Sequence, residues 1–441
     1  MPPRATSGVT PQGATPADQQ SRIDGIPGGL FAAGWRLGLA AVALACTATA
    51  SAQTGQTVRI AFIDPLSGPM ADVGRNSLQS WQFVAERQSG ANNPAGVRFV
   101  VAPFDNKGSP QESLNALKAA IDQGFRYVVQ GNGSGVTHVL ADAIARHNAR
   151  RPDAPVLLLN YAATDPALTG ERCTYWHFRI EADTTMKVAA LVDFLAGHPE
   201  LQKVYLLNQD YAHGQQLSRY FKEAVAERLP SVQVVGEELH PAFQLRDFKP
   251  QVQRMLASGA QAVVTGNWGE DFVHLVQALQ EAKAQLPLFT YYAALPGAPQ
   301  ALAKGGASMP VYQVALHHNN PEGEMGRLAA DFRRRYKTDF VVYATHTGMQ
   351  MLGAAMARAG STDTRRVADV LGGMAFPTLG GTATMRSEDH QLQLGQFISR
   401  WQPVDARHPV DAEGTGHTFA PVRYIAAPVL SQPVRCNMPR P

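Results

Sequence analysis

The chain has 441 residues, enough for two or three domains, each with a core of its own. Its 39 basic and 36 acidic side chains give a formal net charge of +3 with no long run of either sign. That balance argues against a nucleic-acid surface or a polyanionic partner.

Residues 1–30 are rich in Pro, Gly, Gln and Ser and are expected to be disordered, because such a composition cannot bury a core. From Arg36 the chain reads RLGLAAVALACTATASA: a basic residue, a short apolar stretch, then small residues ending Ala50-Ser51-Ala52. A charge, an apolar core too short to span a bilayer and an A-x-A site are the parts of a secretory signal. Residues 1–52 are therefore read as a leader plus signal, with Gln53 first in the exported protein and the periplasm as its destination. Cys46 leaves a lipoprotein open as the alternative, although Ala43 stands where such a site usually carries leucine. No later apolar segment approaches 18 residues, so the exported chain is expected to be soluble.

Export leaves Cys173 and Cys436 in an oxidising compartment, where an even pair is most simply a disulfide. No cluster of cysteine or histidine flanks either one, so no zinc site is expected. His317 and His318 are adjacent and point to different faces, which suggests a solvated loop.

In chain order, VRIAFID (58–64), VRFVVAPF (97–104), YVVQG (127–131) and VLLLN (156–160) read as strands buried on both faces. Helical patterns separate them, with Leu114, Leu117 and Ile121 on one stripe and Val136, Val139, Leu140 and Ile144 on another. The rhythm then restarts. KVYLLNQD (203–210) precedes a helix with Leu217, Phe221, Val225 and Leu229 in register, followed by VQVVGEEL, a helix through Met255, AVVTGN (262–267), a helix after Glu270 and LFTYYA. Such alternation predicts an α/β fold of two Rossmann-like lobes with parallel sheets. A ligand cleft is expected between the carboxyl ends of their strands.

Gly131, Gly133 and Gly135 follow the third apolar run as G-x-G-x-G rather than the dinucleotide pattern G-x-G-x-x-G, and the next strand ends in Asn160 without an acid. No Walker lysine, no G-x-S-x-G elbow, no H-E-x-x-H and no acidic magnesium cluster is present. The turn reads as an anion clamp at a helix amino terminus, suited to a carboxylate. A nucleotide-using enzyme or a ligand-sensing domain is the alternative; the reading carries no catalytic residue, no metal and no cofactor.

VRIAFIDPLSGPMADVG, FDNKGSPQESLNALKAAIDQGFRYVVQGNGS, LNYAATDPALTGERCTYWHFR, LLNQDYAHGQQL and AVVTGNWGEDFVHL occur in that order. Together they resemble the type I periplasmic solute-binding proteins of branched-chain amino acid ABC importers, the leucine/isoleucine/valine-binding family, from Val58 to about Gln396. The resemblance implies two lobes joined by three crossovers, closing on a small ligand and presenting it to a membrane permease, with no nucleic acid involved and a monomer expected. It divides the chain into 53–178 (first lobe), 179–316 (second lobe), 317–377 (first lobe again) and 378–441 (second lobe again and tail).

It also implies a ligand site. The carboxylate grip falls on Ser134 and Gly135, where a usual hydroxyl is replaced by Gly135. The following strand end falls on Ala162, Ala163 and Thr164, and the second lobe contributes His213, Trp268 and Tyr292, with Tyr211 nearby. Val73 stands where the family carries an aromatic lid. The glutamate that pairs with a ligand ammonium in the amino-acid binders has no counterpart in Tyr291 to Ala294. Either the ligand lacks that group, or Glu270, Asp271 or Asp210 supplies the charge. The ligand class is accordingly an amino acid, amide or organic carboxylate.

Overall fold

A computed structural model describes residues 55–305 and 309–441. The leader and signal, with Cys46 and Gln53, lie outside the described residues.

Runs of Val, Ile, Leu and Phe form the first sheet from β1 (Thr57–Asp64), β2 (Arg98–Asp105), β3 (Tyr127–Gln130), β4 (Leu157–Asn160) and β5 (His177–Arg179). All five are parallel, in the order β2-β1-β3-β4-β5. Helices α1 (Ala71–Arg87), α2 (Pro110–Asp122) and α3 (Ser134–Arg150) link them. Ser109 caps α2 by accepting from the Glu112 amide, and Pro110 opens it, where a missing N–H costs nothing. β3 and β4 are buried throughout. β2 departs from the expectation of burial on both faces: Arg98 and Pro103 are exposed while Phe99 and Val101 point inward. It is an edge strand, which also explains how it accepts a proline that cannot donate to a neighbour.

The second sheet repeats the pattern with β6 (Lys203–Gln209), β7 (Gln233–His240), β8 (Ala262–Thr265), β9 (Leu288–Thr290) and β10 (Val311–Ala315). Its helices are α4 (Thr184–Leu195), α5 (Ala212–Arg228), α6 (Lys249–Ala257), α7 (Glu270–Glu281) and α8 (Ala298–Lys304). Leu217, Phe221 and Val225 form the buried stripe of α5. The chain then returns to the first lobe as α9 (Gly323–Tyr336), α10 (Ala344–Ala359) and α11 (Thr364–Leu371), with α10 packed on α1. A small sheet, β11 (Ala375–Thr378), β12 (Gly381–Met385) and β13 (Leu392–Gln393), follows α11.

β14 (Gln396–Pro403) and β15 (His417–Ile425) then extend the second sheet to β15-β14-β10-β9-β8-β6-β7. Both pair antiparallel, so this sheet is mixed rather than purely parallel. The short α12 (Ala427–Leu430) packs on α4, and the tail beyond it returns to the first lobe, where Cys436 is bonded to Cys173 with a Cα–Cα distance of 5.7 Å. Among the described residues no helix is long and apolar enough to cross a membrane.

The two cysteines are 263 residues apart, and closing so long a loop removes much denatured-state entropy. Replacing both with serine is expected to lower stability by up to about 5 kcal/mol in the entropic model, less any strain the bond stores. Denaturant titration of the oxidised protein and of the double variant measures this directly; equal midpoints would show that the link contributes nothing.

Candidate functional site

β1, β3 and β4 lie side by side and end at Asp64, Gln130 and Asn160. Asp64 has no exposed surface, and its carboxylate gathers groups from the ends of the neighbouring strands and the turns beyond them. Oδ1 accepts from the Asn132 amide at 2.9 Å and Gln130 Nε2 at 3.2 Å, and Oδ2 accepts from the Gly131 amide at 3.0 Å and from the Tyr161 hydroxyl. Burial outweighs these bonds and pushes the carboxyl up to about 7. The glycines of the turn are required by this arrangement. A Cβ at Gly131 would lie 2.7 Å from the Tyr161 ring, and Gly133 has φ +96°, a conformation side chains rarely adopt.

Gly133 caps α3, and the amides of Val136 and Thr137 already donate to its carbonyl. The Ser134 amide precedes the first helical bond and is left for an external acceptor. Ser134 lines the cleft, together with Ala162, Ala163, Thr164, His213, Trp268 and Tyr292. Val73 and Tyr211 join them. Gly135 does not: it lies on the exposed side of the first turn of α3. Together the lining residues form a concave space between the lobes, of the kind that holds a small molecule.

Both lobes contribute walls, and hydrogen bonds cross between them, among them one from Gln216 Nε2 to Asp165 Oδ1 at 2.7 Å. Thr164 Oγ1, beyond the tip of β4, lies 3.0 Å from His213 Nδ1 at the start of α5. His213 Nε2 is 3.3 Å from the Gly266 carbonyl, so the proton is assigned to Nε2 and Thr164 donates to Nδ1. Burial lowers His213 to about 4, which keeps it neutral at neutral pH. The Thr164 hydroxyl is thus engaged by protein rather than free.

Trp268 is 6% exposed and follows β8 into the cleft. Its Nε1 donates to the Tyr211 hydroxyl at 2.8 Å, and its ring meets Phe243 edge-on at 4.9 Å. Tyr291 and Tyr292 follow β9, and the buried Tyr291 hydroxyl has no hydrogen-bond partner.

The two adjacent histidines overturn the solvated-loop expectation. His317 lines the cleft and stacks on Tyr343 at 4.7 Å; burial lowers it to about 3, and its Nε2 has no partner. His318 is half-buried and edge-on to Phe397 at 4.8 Å. The chain leaves β10 here to cross between lobes, so its side chains are enclosed from both sides.

None of the acids considered for a ligand ammonium reaches the cleft. Glu270 is exposed, Asp210 is exposed and accepts from Gln215 Nε2 at 2.9 Å, and Asp271 is buried, accepting from Gln209 Nε2 and the Phe243 amide, each at 2.7 Å. The lining carboxylate is Glu181, paired at 3.0 Å with Lys187 of α4. Among the described residues no group of three or more His, Cys, Asp or Glu could hold a metal ion.

Sequence reasoning missed Asp64, Tyr161, Glu181, Lys187 and Tyr343. Two of them carried a signal: Asp64 is an acid closing an apolar strand at its ligand-facing end, and Lys187 is a lone charge within TTMKVAAL.

Two α/β lobes around an aromatic-walled cleft, with a helix amino terminus on one side, define a protein that encloses a small molecule. Residues 57–407 match the periplasmic binding protein family, and the chain belongs to it. It is 28% identical over 417 residues to Leu/Ile/Val-binding protein homolog 4 of Brucella abortus, an alignment covering 91% of this chain and 97% of that protein. A leucine-, isoleucine-, valine-, threonine- and alanine-binding protein from Brucella ovis, solved in a closed conformation, superposes with a TM-score of 0.76 at 25% identity, covering 88% of this chain and all of the other. A solute-binding protein of an ABC transporter from Rhodopseudomonas palustris, in complex with p-hydroxybenzoic acid, shares the fold at a TM-score of 0.70 and 16% identity, covering 84% of this chain and 98% of that one.

Asp64 makes stability depend on pH. Its folded value of about 7 exceeds the ordinary 3.8, so the fold favours the protonated form. The stability this provides is complete below pH 3.8 and is lost as pH rises through about 7. The group's contribution to that fall is on the order of 4 kcal/mol. In Asp64→Asn the decline between pH 4 and 7 should be flatter, alongside a lower melting temperature from the mismatched amide. Unfolding measured across that range checks this, and an unchanged slope would assign the decline to other groups.

Proposed function

We propose that this chain is an exported solute-binding protein. It captures a small carboxylate or amide with an apolar or aromatic body in the interlobe cleft, and delivers it to the membrane permease of an ABC importer. It performs no chemistry of its own and acts as a monomer in the periplasm, released by cleavage before Gln53. The lobes follow the division 53–178 with 317–377 and 179–316 with 378–441, and closure is a hinge motion about the three crossovers. The ligand bridges the lobes, so its capture and the form offered to the permease are linked through one shift in population.

The observation that carries the reading is the make-up of the cleft walls. An anion-binding helix terminus at Ser134 faces aromatic, weakly polar surface at Trp268, Tyr291 and Tyr292. Ser134, Ala162, Ala163, Thr164, His213, Trp268 and Tyr292 are the proposed contacts, with Thr164 acting mainly through its bond to His213. The Brucella ovis structure is of a leucine-, isoleucine-, valine-, threonine- and alanine-binding protein and the Rhodopseudomonas protein was solved with p-hydroxybenzoic acid, so both zwitterions and simple acids come into question. The pairing of Glu181 with Lys187 leaves no lining carboxylate for an ammonium and favours the simple acid.

A thermal-shift screen against amino acids, amides, and aliphatic and aromatic carboxylates tests the proposal. At least one carboxylate should raise the melting temperature in a concentration-dependent way. Stabilisation by nucleotides alone would restore the enzyme reading. With the ligand so found, Trp268→Ala should weaken binding by about 2 kcal/mol, roughly 30-fold, because it removes an aromatic wall. Calorimetry beside a melting curve separates this from a core defect, in which stability falls and affinity does not.

A further inference from the structure

Among the described residues that line the cleft, Glu181 is the one carboxylate and Lys187 the one ammonium. They hold each other: Lys187 Nζ lies 3.0 Å from Glu181 Oε1, which also accepts from the Ala182 amide at 2.9 Å. The Lys187 side chain is 3% exposed, on a helix whose other buried residues are Thr, Met, Val, Ala, Leu and Phe. A methionine or leucine there would pack without desolvating a charge, so the ammonium is not required by the core.

Its surroundings have unused hydrogen-bonding capacity. Lys187 Nζ is 5.7 Å from the centre of the Tyr291 ring, and the Tyr291 hydroxyl and His317 Nε2, both buried on lining residues, have no partner. After burial, the charge of Lys187 is among the further causes that keep His213 and His317 unprotonated. Three N–H groups on Lys187 and one O–H on Tyr291 call for acceptors, and the protein supplies Lys187 with a single carboxylate oxygen.

We infer that Lys187 is a specificity-determining residue: its ammonium holds, beside Glu181, the place a ligand amine would need, so the cleft admits oxo- or hydroxy-carboxylates and rejects the corresponding amino acids. This rests on the carboxylate reading proposed above and narrows it. A protonated amine entering the cleft meets a fixed like charge, weakly screened, and finds the lining carboxylate already taken. An oxo or hydroxyl oxygen instead accepts from Lys187 and from the Tyr291 hydroxyl.

The test compares 4-methyl-2-oxopentanoate with leucine, and phenylpyruvate and 3-phenyllactate with phenylalanine, by calorimetry on the wild-type protein, Lys187→Met, and Lys187→Met combined with Glu181→Gln. The wild type should prefer each oxygen-bearing acid over its amino acid by about tenfold or more. Lys187→Met exposes the Glu181 carboxylate to the cleft, and the preference should shrink by about a hundredfold or invert. The double variant removes both charges, which protects against a single variant that fails to fold; it should lose the preference without gaining affinity for the amino acids. A preference unmoved in both variants overturns the inference while leaving the carboxylate reading standing; a wild type that prefers the amino acids overturns the inference and the preference for a simple acid together. Failure of every carboxylate to bind the wild type overturns that reading and the inference with it.

Discussion

One fully desolvated carboxylate, Asp64, shapes the recognition turn. Its two oxygens take the Gly131 and Asn132 amides, the Gln130 side chain and the Tyr161 hydroxyl, and so fix how the chain leaves β3. With that turn fixed, Gly131 is pressed against Tyr161 and Gly133 swings the chain into α3, which leaves the Ser134 amide at the cleft wall. Burial pushes the Asp64 carboxyl upward, so the surrounding structure must hold it in place. Here the neighbouring strands β1, β3 and β4 do so by ending together.

The second lobe and the crossing after β10 answer with groups that are polar but uncharged. His213 and His317 are kept neutral by burial, Trp268 is held by Tyr211, and the Thr164–His213 bond ties the two walls together. The charges that remain in the cleft close on each other as Glu181 and Lys187. On the proposed reading, selectivity depends on the few donors left open at Ser134, Tyr291 and Lys187, because an unmatched buried polar group discriminates more sharply than an apolar wall.

Much of this was legible in the sequence where periodicity carried it. Strands rich in Val, Ile and Leu and helices striped at 3.6 residues identified the parallel strands of both sheets, and the glycine turn stands where the third strand ends. The edge position of β2 was not legible, because edge and centre differ in neighbours rather than in composition. Nor was the antiparallel pair β14 and β15, joined by a long irregular segment rather than by a short turn with a signature. Within the site, Ser134 lies on the cleft wall while Gly135 is exposed and off it, since one step along a helix turns a residue from cleft to solvent. His317 was missed for a different reason: adjacency says which way two side chains diverge, not whether a second lobe covers them. Glu181 and Lys187 meet across a helix start, a contact that only the folded chain reveals.

The central claim is that one ligand engages both lobes at once. Hydrogen exchange, with and without the carboxylate that most raises the melting temperature, measures this without any substitution. The account predicts slowed exchange together at the turn from Gly131 to Ser134 in the first lobe and at Tyr211 to His213 and Tyr291 to Tyr292 in the second, with the crossings changed in parallel. Protection confined to one lobe, or arising away from the cleft, would contradict it.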